Sequence, residues 1–320
     1  MKQPLVSILC ATYNQEKYIA QTIEGFLLQK VNFPIEIIIH DDTSTDGTAD
    51  IIRKYEAEHP DLIKGIYQTE NQYSKRVDIW AKFLYSKAQG KYFAECEGDD
   101  YWTDPSKLQR QVDFLESHPD YILSHTAFKY YDQNNGVFLE DQSIKRNLEI
   151  QEKELEKLSL LILDRNQYRI QTVTILYKSE LWSLITDSFA MSKYFFMGDT
   201  QLYFFASKFG KIHYDPTVTS VYRYTPHSAC HRGEKSKAKY RFDLSCEEMR
   251  MYLSKYIHDE PTIQKFKKNF GKELVRYAVC DPKFRSKLDE SVIPAKFKFV
   301  LFCARHSFLA RLFLKKKYRL

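Results

Sequence analysis

Glycine is scarce, at 10 of 320 residues, and none falls in the segment Ala11-Thr12-Tyr13-Asn14 that follows the first apolar run. A dinucleotide-binding GxGxxG loop and a glycine-rich phosphate loop are both excluded there, and dehydrogenase and nucleotidyltransferase readings go with them. The six cysteines (Cys10, Cys96, Cys230, Cys246, Cys280, Cys303) form no CxxC pair, so the pattern reads as reduced core thiols of a cytoplasmic protein. His227, Cys230 and His231 lie close together but lack the paired ligand spacing of a closed zinc site. No run reaches the roughly 18 apolar residues of a membrane-spanning helix. MKQPLVSILCATYN turns polar too soon for a signal peptide.

Charge is uneven along the chain. Residues 231–320 carry 23 Lys+Arg against 10 Asp+Glu, and residues 1–230 carry 25 against 32, which leaves an acidic body and a basic tail. An acidic body suits a bound cation, and a basic tail suits an anionic surface. Nucleic acid is not expected as a partner, because no recognised binding module accompanies the charge.

Short apolar runs alternate with helical patterns. Strands are expected at Leu5–Cys10, Ile35–Ile39, Ile63–Tyr67, Lys91–Cys96, Tyr121–Tyr131, Ile170–Tyr177 and, as one or two pieces, Lys211–Tyr224. Helices are expected through Ile19–Leu27, after Ser44-Thr45-Asp46-Gly47, over Ile79–Ser86, after Pro105 and over Asp199–Phe209. The charged segment 132–165 reads as an excursion with a helix from Glu152 to Leu163. This order predicts an α/β fold with a mainly parallel sheet flanked by helices. From Lys235 onward the pattern is helical, with a break near Asp281-Pro282. The division expected is a domain over 1–230 and a basic helical region over 231–320.

Ligands of open parallel sheets bind beyond the carboxyl ends of the strands. Three polar clusters sit at such ends: Ala11-Thr12-Tyr13-Asn14, Asp41-Asp42 and Glu97-Gly98-Asp99-Asp100. The last offers hard oxygen donors on a tight turn, as a Mg²⁺ or Mn²⁺ shared with substrate phosphates requires.

The segments VSILCATYNQEKYI, HDDTSTDGT and AQGKYFAECEGDDYWTDPSKLQRQV resemble the three successive signatures of family 2 glycosyltransferases with the GT-A fold. The resemblance is strong from about Leu5 to Tyr131 and weaker from Ile170 to His227. It implies a nucleotide-sugar-binding part over about 5–131 and an acceptor side over about 132–230. It places Ala11, Thr12 and Tyr13 around base and ribose, has Asp42 hydrogen-bonding uracil, and gives Asp99 the metal position of a DxD motif. Glu97 stands where Asp is commoner and still reaches ribose or metal, and Asp100 completes the acidic turn.

Further along, Asp199 resembles the general base of a later Glu-Asp motif, with Gly198 in the Glu position. Read without the resemblance, Asp199 is a carboxylate at a helix N-terminus. His227 resembles a histidine that some relatives aim at metal or diphosphate, and is otherwise a surface-loop residue. Arg223 either meets a phosphate or covers the sheet.

The activity implied is inverting, divalent-cation-dependent transfer from a nucleotide-diphosphate sugar, with UDP favoured, to an acceptor hydroxyl, on a glycan or lipid-linked acceptor, in bacterial surface polysaccharide synthesis. The competing expectation is a catalytically inactive nucleotide-sugar-binding protein at the membrane. Residues 296–320 interleave aromatic and basic residues as an interfacial amphipathic helix does. They either contact the inner face of an anionic membrane or pack on the domain.

Overall fold

The computed structural model describes residues 3–140, 143–153, 157–164, 167–189, 195, 198–225 and 237–286, with positions 298, 302, 312 and 316. The chain divides into two compact units, Met1–Tyr194 with Leu202–Thr225, and Phe195–Gln201 with Pro226–Leu320.

The first unit is built on one sheet. Its N-terminal half is β1 (Val6–Thr12), β2 (Ile35–Asp41), β3 (Ile63–Tyr67) and β4 (Tyr92–Glu97). β1 pairs in parallel with β2 and β4, and β2 with β3. The inner strands β1 and β2 are largely apolar because both faces are covered: Val6, Ile8, Leu9, Cys10, Ile37, Ile38 and Ile39 are all buried, whereas the edge strand β3 buries only Ile63.

The other half is β5 (Tyr101–Trp102), β6 (Tyr121–Asp132), β7 (Val137–Leu139), β8 (Ile175–Lys178) and β9 (Lys211–Tyr224), and the sheet order is β3-β2-β1-β4-β8-β6-β9-β5 with β7 on β6. Here β4–β8, β6–β8, β5–β9 and β6–β7 are antiparallel and β6–β9 parallel. The parallel expectation thus describes the first half, and the sheet as a whole is mixed. Lys211–Tyr224 is a single strand, with register shifts against β6 around Thr126–Phe128.

Amphipathic helices cover the sheet. α1 (Ile19–Leu27) buries Ile19, Ile23 and Phe26, and α2 (Thr48–Glu58) buries Ile52. The Ile79–Ser86 segment is a π-helix over Trp80–Tyr85, a rare wide turn frequent at functional sites. α3 (Lys107–Ser117) inserts Leu108, Val112 and Leu115 into the core beside Trp102, whose indole donates to the Val173 carbonyl at 2.8 Å.

The excursion differs from its expectation. It holds α4 (Ser143–Lys153) and α5 (Leu158–Leu163) instead of one helix starting at Glu152. The earlier start is fixed by buried Asn147, whose carboxamide makes both hydrogen bonds to the Arg169 backbone, at 2.7 and 3.0 Å. Apolar periodicity cannot show a polar anchor of that kind. α6 (Glu180–Phe189) and α7 (Gly198–Phe209) follow.

The second unit contains α8 (Lys237–Leu253), α9 (Glu260–Cys280) and the short α10 (Pro282–Ser286). α8 and α9 pack through Tyr240, Leu244, Leu274, Val275 and Ala278. Asp259 caps α9 by accepting from the Thr262 amide at 2.9 Å. Asp281 marks the expected break. It accepts from the Tyr277 hydroxyl at 2.8 Å and the Lys283 amide at 3.0 Å, and Lys237 at 3.0 Å holds its carboxyl down at about 2. Of the tail, Lys298, Phe302, Leu312 and Lys316 are described, and all four are exposed.

Candidate active site

Parallel register brings three strand ends to one level. Ala11 lies opposite both His40 and Glu97, and Thr12 opposite Asp41. Backbone bonds continue past the strands: the Asp42 amide donates to the Thr12 carbonyl and the Gly98 amide to the Ala11 carbonyl, each at 3.0 Å. The three polar clusters therefore form one rim. Ala11 and Thr12 are buried in it, and Tyr13 projects from it, 47% exposed.

The loops after β1 and β2 are joined side chain to backbone. Asn14, in the left-handed region at φ 53°, accepts from the Thr45 amide at 2.7 Å, while its own amide donates to the Ser44 hydroxyl at 2.9 Å. Thr43 is also left-handed, at φ 65°. For a β-branched residue that conformation costs on the order of 1–3 kcal/mol and clusters at functional sites.

Buried Asp42 holds the next segment. Its two carboxylate oxygens accept from the Gln72 and Tyr73 amides at 2.7 and 3.0 Å, and its carbonyl accepts from the Asn71 carboxamide at 3.1 Å. Residues 71–73 thereby become part of the rim. His40, fully buried, stacks on Phe83 of the π-helix with ring centroids 5.1 Å apart, and burial pushes its pKa down, which keeps the ring neutral.

The acidic turn is graded in exposure: Glu97 exposed, Asp99 half-buried, Asp100 buried. Its backbone is tied on several sides. The Asp100 amide donates to the Glu97 carbonyl at 3.0 Å, and the Thr22 hydroxyl of α1 donates to the Asp100 carbonyl at 2.6 Å with the Gly98 carbonyl 3.0 Å away. Arg223 of β9 donates through Nη1 to the Asp99 carbonyl at 2.6 Å, and its backbone amide donates to Asp100 Oδ1 at 2.8 Å.

Only glycine fits at 98, because a Cβ there would collide with Gln15 Oε1 and lie 2.8 Å from both Cβ and Oγ1 of Thr12. Burial raises the pKa of Asp99, against the pull of the nearby Arg223 charge. Burial, and then the Asp99 and Glu97 charges, raise that of Asp100.

Among the described residues no group of three His, Cys, Asp or Glu side chains is arranged to hold a metal ion by itself. The donors present fit a different mode. Asp99 is a half-buried carboxylate at the rim, and Asp100 Oδ2 is buried without a hydrogen-bond partner among the described residues. One or two carboxylates of this kind suit a hard cation that completes its shell with substrate phosphates and water.

Asp199 belongs to the second unit. It stands in the first turn of α7 and accepts from the Thr200 amide at 2.7 Å, and burial raises its pKa. His227 lies outside the described residues.

Sequence reasoning left Arg223 between two roles and passed over Thr22, Gln15 and the 71–73 segment. Thr22 carries a legible signal, a polar residue inside the apolar stripe of α1. The 71–73 segment carries none, since it contributes backbone amides.

The fold matches solved structures over nearly the whole chain. Staphylococcus aureus TarS 1–349 in complex with UDP-GlcNAc superposes with a TM-score of 0.59 at 18% identity, covering 98% of this chain and 91% of that one. The mannosyltransferase PcManGT of Pyrobaculum calidifontis, in complex with GDP-Man and Mn²⁺, superposes with 0.53 at 16% identity, covering 99% and 80%. Both likenesses establish the GT-A fold.

In sequence, the Escherichia coli UDP-Glc:alpha-D-GlcNAc-diphosphoundecaprenol beta-1,3-glucosyltransferase WfaP is 39% identical over 113 residues, 35% of this chain and 42% of its own length. Curated relatives at 36 to 46% identity are spanned over only 32 to 45% of their length. The family model described as Glycosyl transferase family 2 matches residues 7–179. That is more than half of the sequence and contains the whole rim, and the chain therefore belongs to glycosyl transferase family 2.

Proposed function

We propose that the chain transfers a sugar from a UDP-sugar to a hydroxyl of a glycan or lipid-linked acceptor, with inversion, in bacterial surface polysaccharide synthesis. The observation that carries this reading is the rim itself, where the β1, β2 and β4 ends bring Thr12, Asp42 and Asp99 to one level. The UDP-GlcNAc complex of TarS and the UDP-Glc and diphosphoundecaprenol in the name of WfaP support the choice of donor and acceptor class. The Mn²⁺ in PcManGT supports a divalent cation.

Residues 11–13 and the shelf at 71–73 enclose the base and ribose, with Asp42 either bonding the uracil or fixing the shelf. Asp99, flanked by Glu97 and Asp100, holds the cation together with the diphosphate. His227 is a further ligand in this reading. A divalent cation, Mn²⁺ or Mg²⁺, supplies Lewis-acid neutralisation of the leaving diphosphate.

Asp199 takes the proton of the acceptor hydroxyl. The oxygen lone pair forms the new bond to the anomeric carbon as the bond to the diphosphate oxygen breaks, with its electrons leaving on the diphosphate. One displacement inverts the centre. Burial raises the pKa of Asp199 and so makes it a stronger base. No described helix is long and apolar enough to cross a membrane, and the basic tail over 296–320 is the proposed contact with the inner face of an anionic membrane.

The test is thermal stabilisation by UDP-, GDP- and dTDP-sugars, with and without Mn²⁺, on the wild type and Asp99→Ala. The expected result is stabilisation by UDP-sugars that requires the metal and vanishes in the variant. No shift with any donor would sink the site assignment, whereas a shift without any sugar transfer or donor hydrolysis would bring forward the inactive binding-protein alternative.

A further inference from the structure

Arg223 sits 124 residues from the turn it touches and is only 5% exposed. Its guanidinium lies over two rings, with its central carbon 4.4 Å from the Tyr101 centroid and 5.1 Å from that of Tyr18. Nη1 donates to the Asp99 carbonyl at 2.6 Å, and Nη2 donates to Gln21 Oε1 of α1. Its backbone amide donates to Asp100 Oδ1 at 2.8 Å.

Within the turn, the Gly98 amide is held by Ala11, the Asp100 amide by Glu97, and the Gly98 and Asp100 carbonyls by the Thr22 hydroxyl of α1. The Asp99 carbonyl is held by Arg223, and with it the plane of the Asp99–Asp100 peptide, from which the Asp99 side chain departs.

We propose that Arg223 is a positioning residue that fixes the Asp99–Asp100 peptide, so that the coupling between metal and nucleotide diphosphate depends on a side chain from the far end of β9. The inference rests on the donor-site reading above. Arginine is suited to this place because a planar cation can stack on aromatic faces while its edge donates in two directions. A lysine ammonium supplies charge but not the stack and fork together.

The experiment measures affinity for UDP with and without Mn²⁺, and for uridine, by calorimetry on the wild type, Asp99→Ala, Arg223→Met and Arg223→Lys. It is run at a temperature where circular dichroism shows each protein folded. The ratio of UDP affinities with and without Mn²⁺ is the coupling.

For the wild type a coupling of at least tenfold is expected, falling below threefold in both Asp99→Ala and Arg223→Met, with uridine affinity within twofold throughout. Arg223→Lys should lose at least threefold of the coupling, and this variant decides the question if the methionine variant does not fold. Retention of coupling within twofold of the wild type would overturn the proposal. So would an equal loss of uridine and UDP affinity, which would mark Arg223 as a purely structural residue. If the wild type shows no coupling, or Asp99→Ala keeps it, the donor-site reading itself fails and the inference falls with it.

Discussion

Lys107 opens α3 with no exposed surface, its ammonium 2.7 Å from Gln111 Oε1 and 4.6 Å from the centre of the Trp102 ring. Burial pulls its pKa from 10.5 down to about 7. Between those values the unfolded chain carries a proton that the folded chain lacks, so stability must rise with pH at up to about 1.4 kcal/mol per pH unit. From pH 7 to 9 that amounts to on the order of 2 kcal/mol. Below pH 7 the folded protein also carries the charge, and the full penalty is present.

Lys107→Met removes the titration and leaves the Gln111 acceptor unpaired, a pH-independent cost of about 1–3 kcal/mol. The slope is therefore the diagnostic quantity, and the offset is not. Urea unfolding of wild type and variant at pH 7, 8 and 9 gives it directly. The difference in stability should shift toward the wild type as pH rises, while other titrating groups cancel between the two proteins. Parallel pH profiles would refute the assignment of a buried, near-neutral lysine.

Gly98→Ala should weaken Mn²⁺-dependent UDP binding at least tenfold, since Gln15 can swing aside but Thr12 Cβ, 2.8 Å from the new methyl, sits in a buried strand. Calorimetry checks it, and wild-type affinity would show that the turn has slack. Thr22→Val keeps the volume but leaves the Asp100 carbonyl without its hydroxyl donor. A loss of about 1–3 kcal/mol is expected, read as a lower urea midpoint at unchanged m-value. Asp199→Asn should lower kcat by about 10²–10⁴ with UDP binding intact. In the wild type, kcat/KM should fall toward acid with an apparent pKa above the ordinary carboxylate value of 3.8, because burial raises it and the protonated form cannot act as base. Steady-state kinetics over pH decides both.

The parallel half of the fold was legible because its inner strands β1 and β2 are buried on both faces and read as apolar runs between helical stripes. The GT-A assignment rested on the same segments. The acidic turn and the Asp41-Asp42 cluster were legible for a related reason: polar residues directly after a buried run must face the rim. The antiparallel half was less so. β5 has only two residues, and β8 joins the sheet between β4 and β6 through pairings that no local pattern announces.

Local chemistry determined by itself that there would be βαβ units, an acidic turn at a strand end, a glycine inside that turn, and a charge-segregated tail. Those features follow from side-chain type and period alone. Tertiary structure decided what contacts arise between distant segments: that β9 runs beside β6 and sends Arg223 back to the Asp99 carbonyl, that Asp42 spends both oxygens on the amides of Gln72 and Tyr73, and that Lys107 is buried beside Trp102. The reason is physical. A backbone carbonyl or amide looks the same at every position in a sequence, and only the folded chain determines which side chain satisfies it.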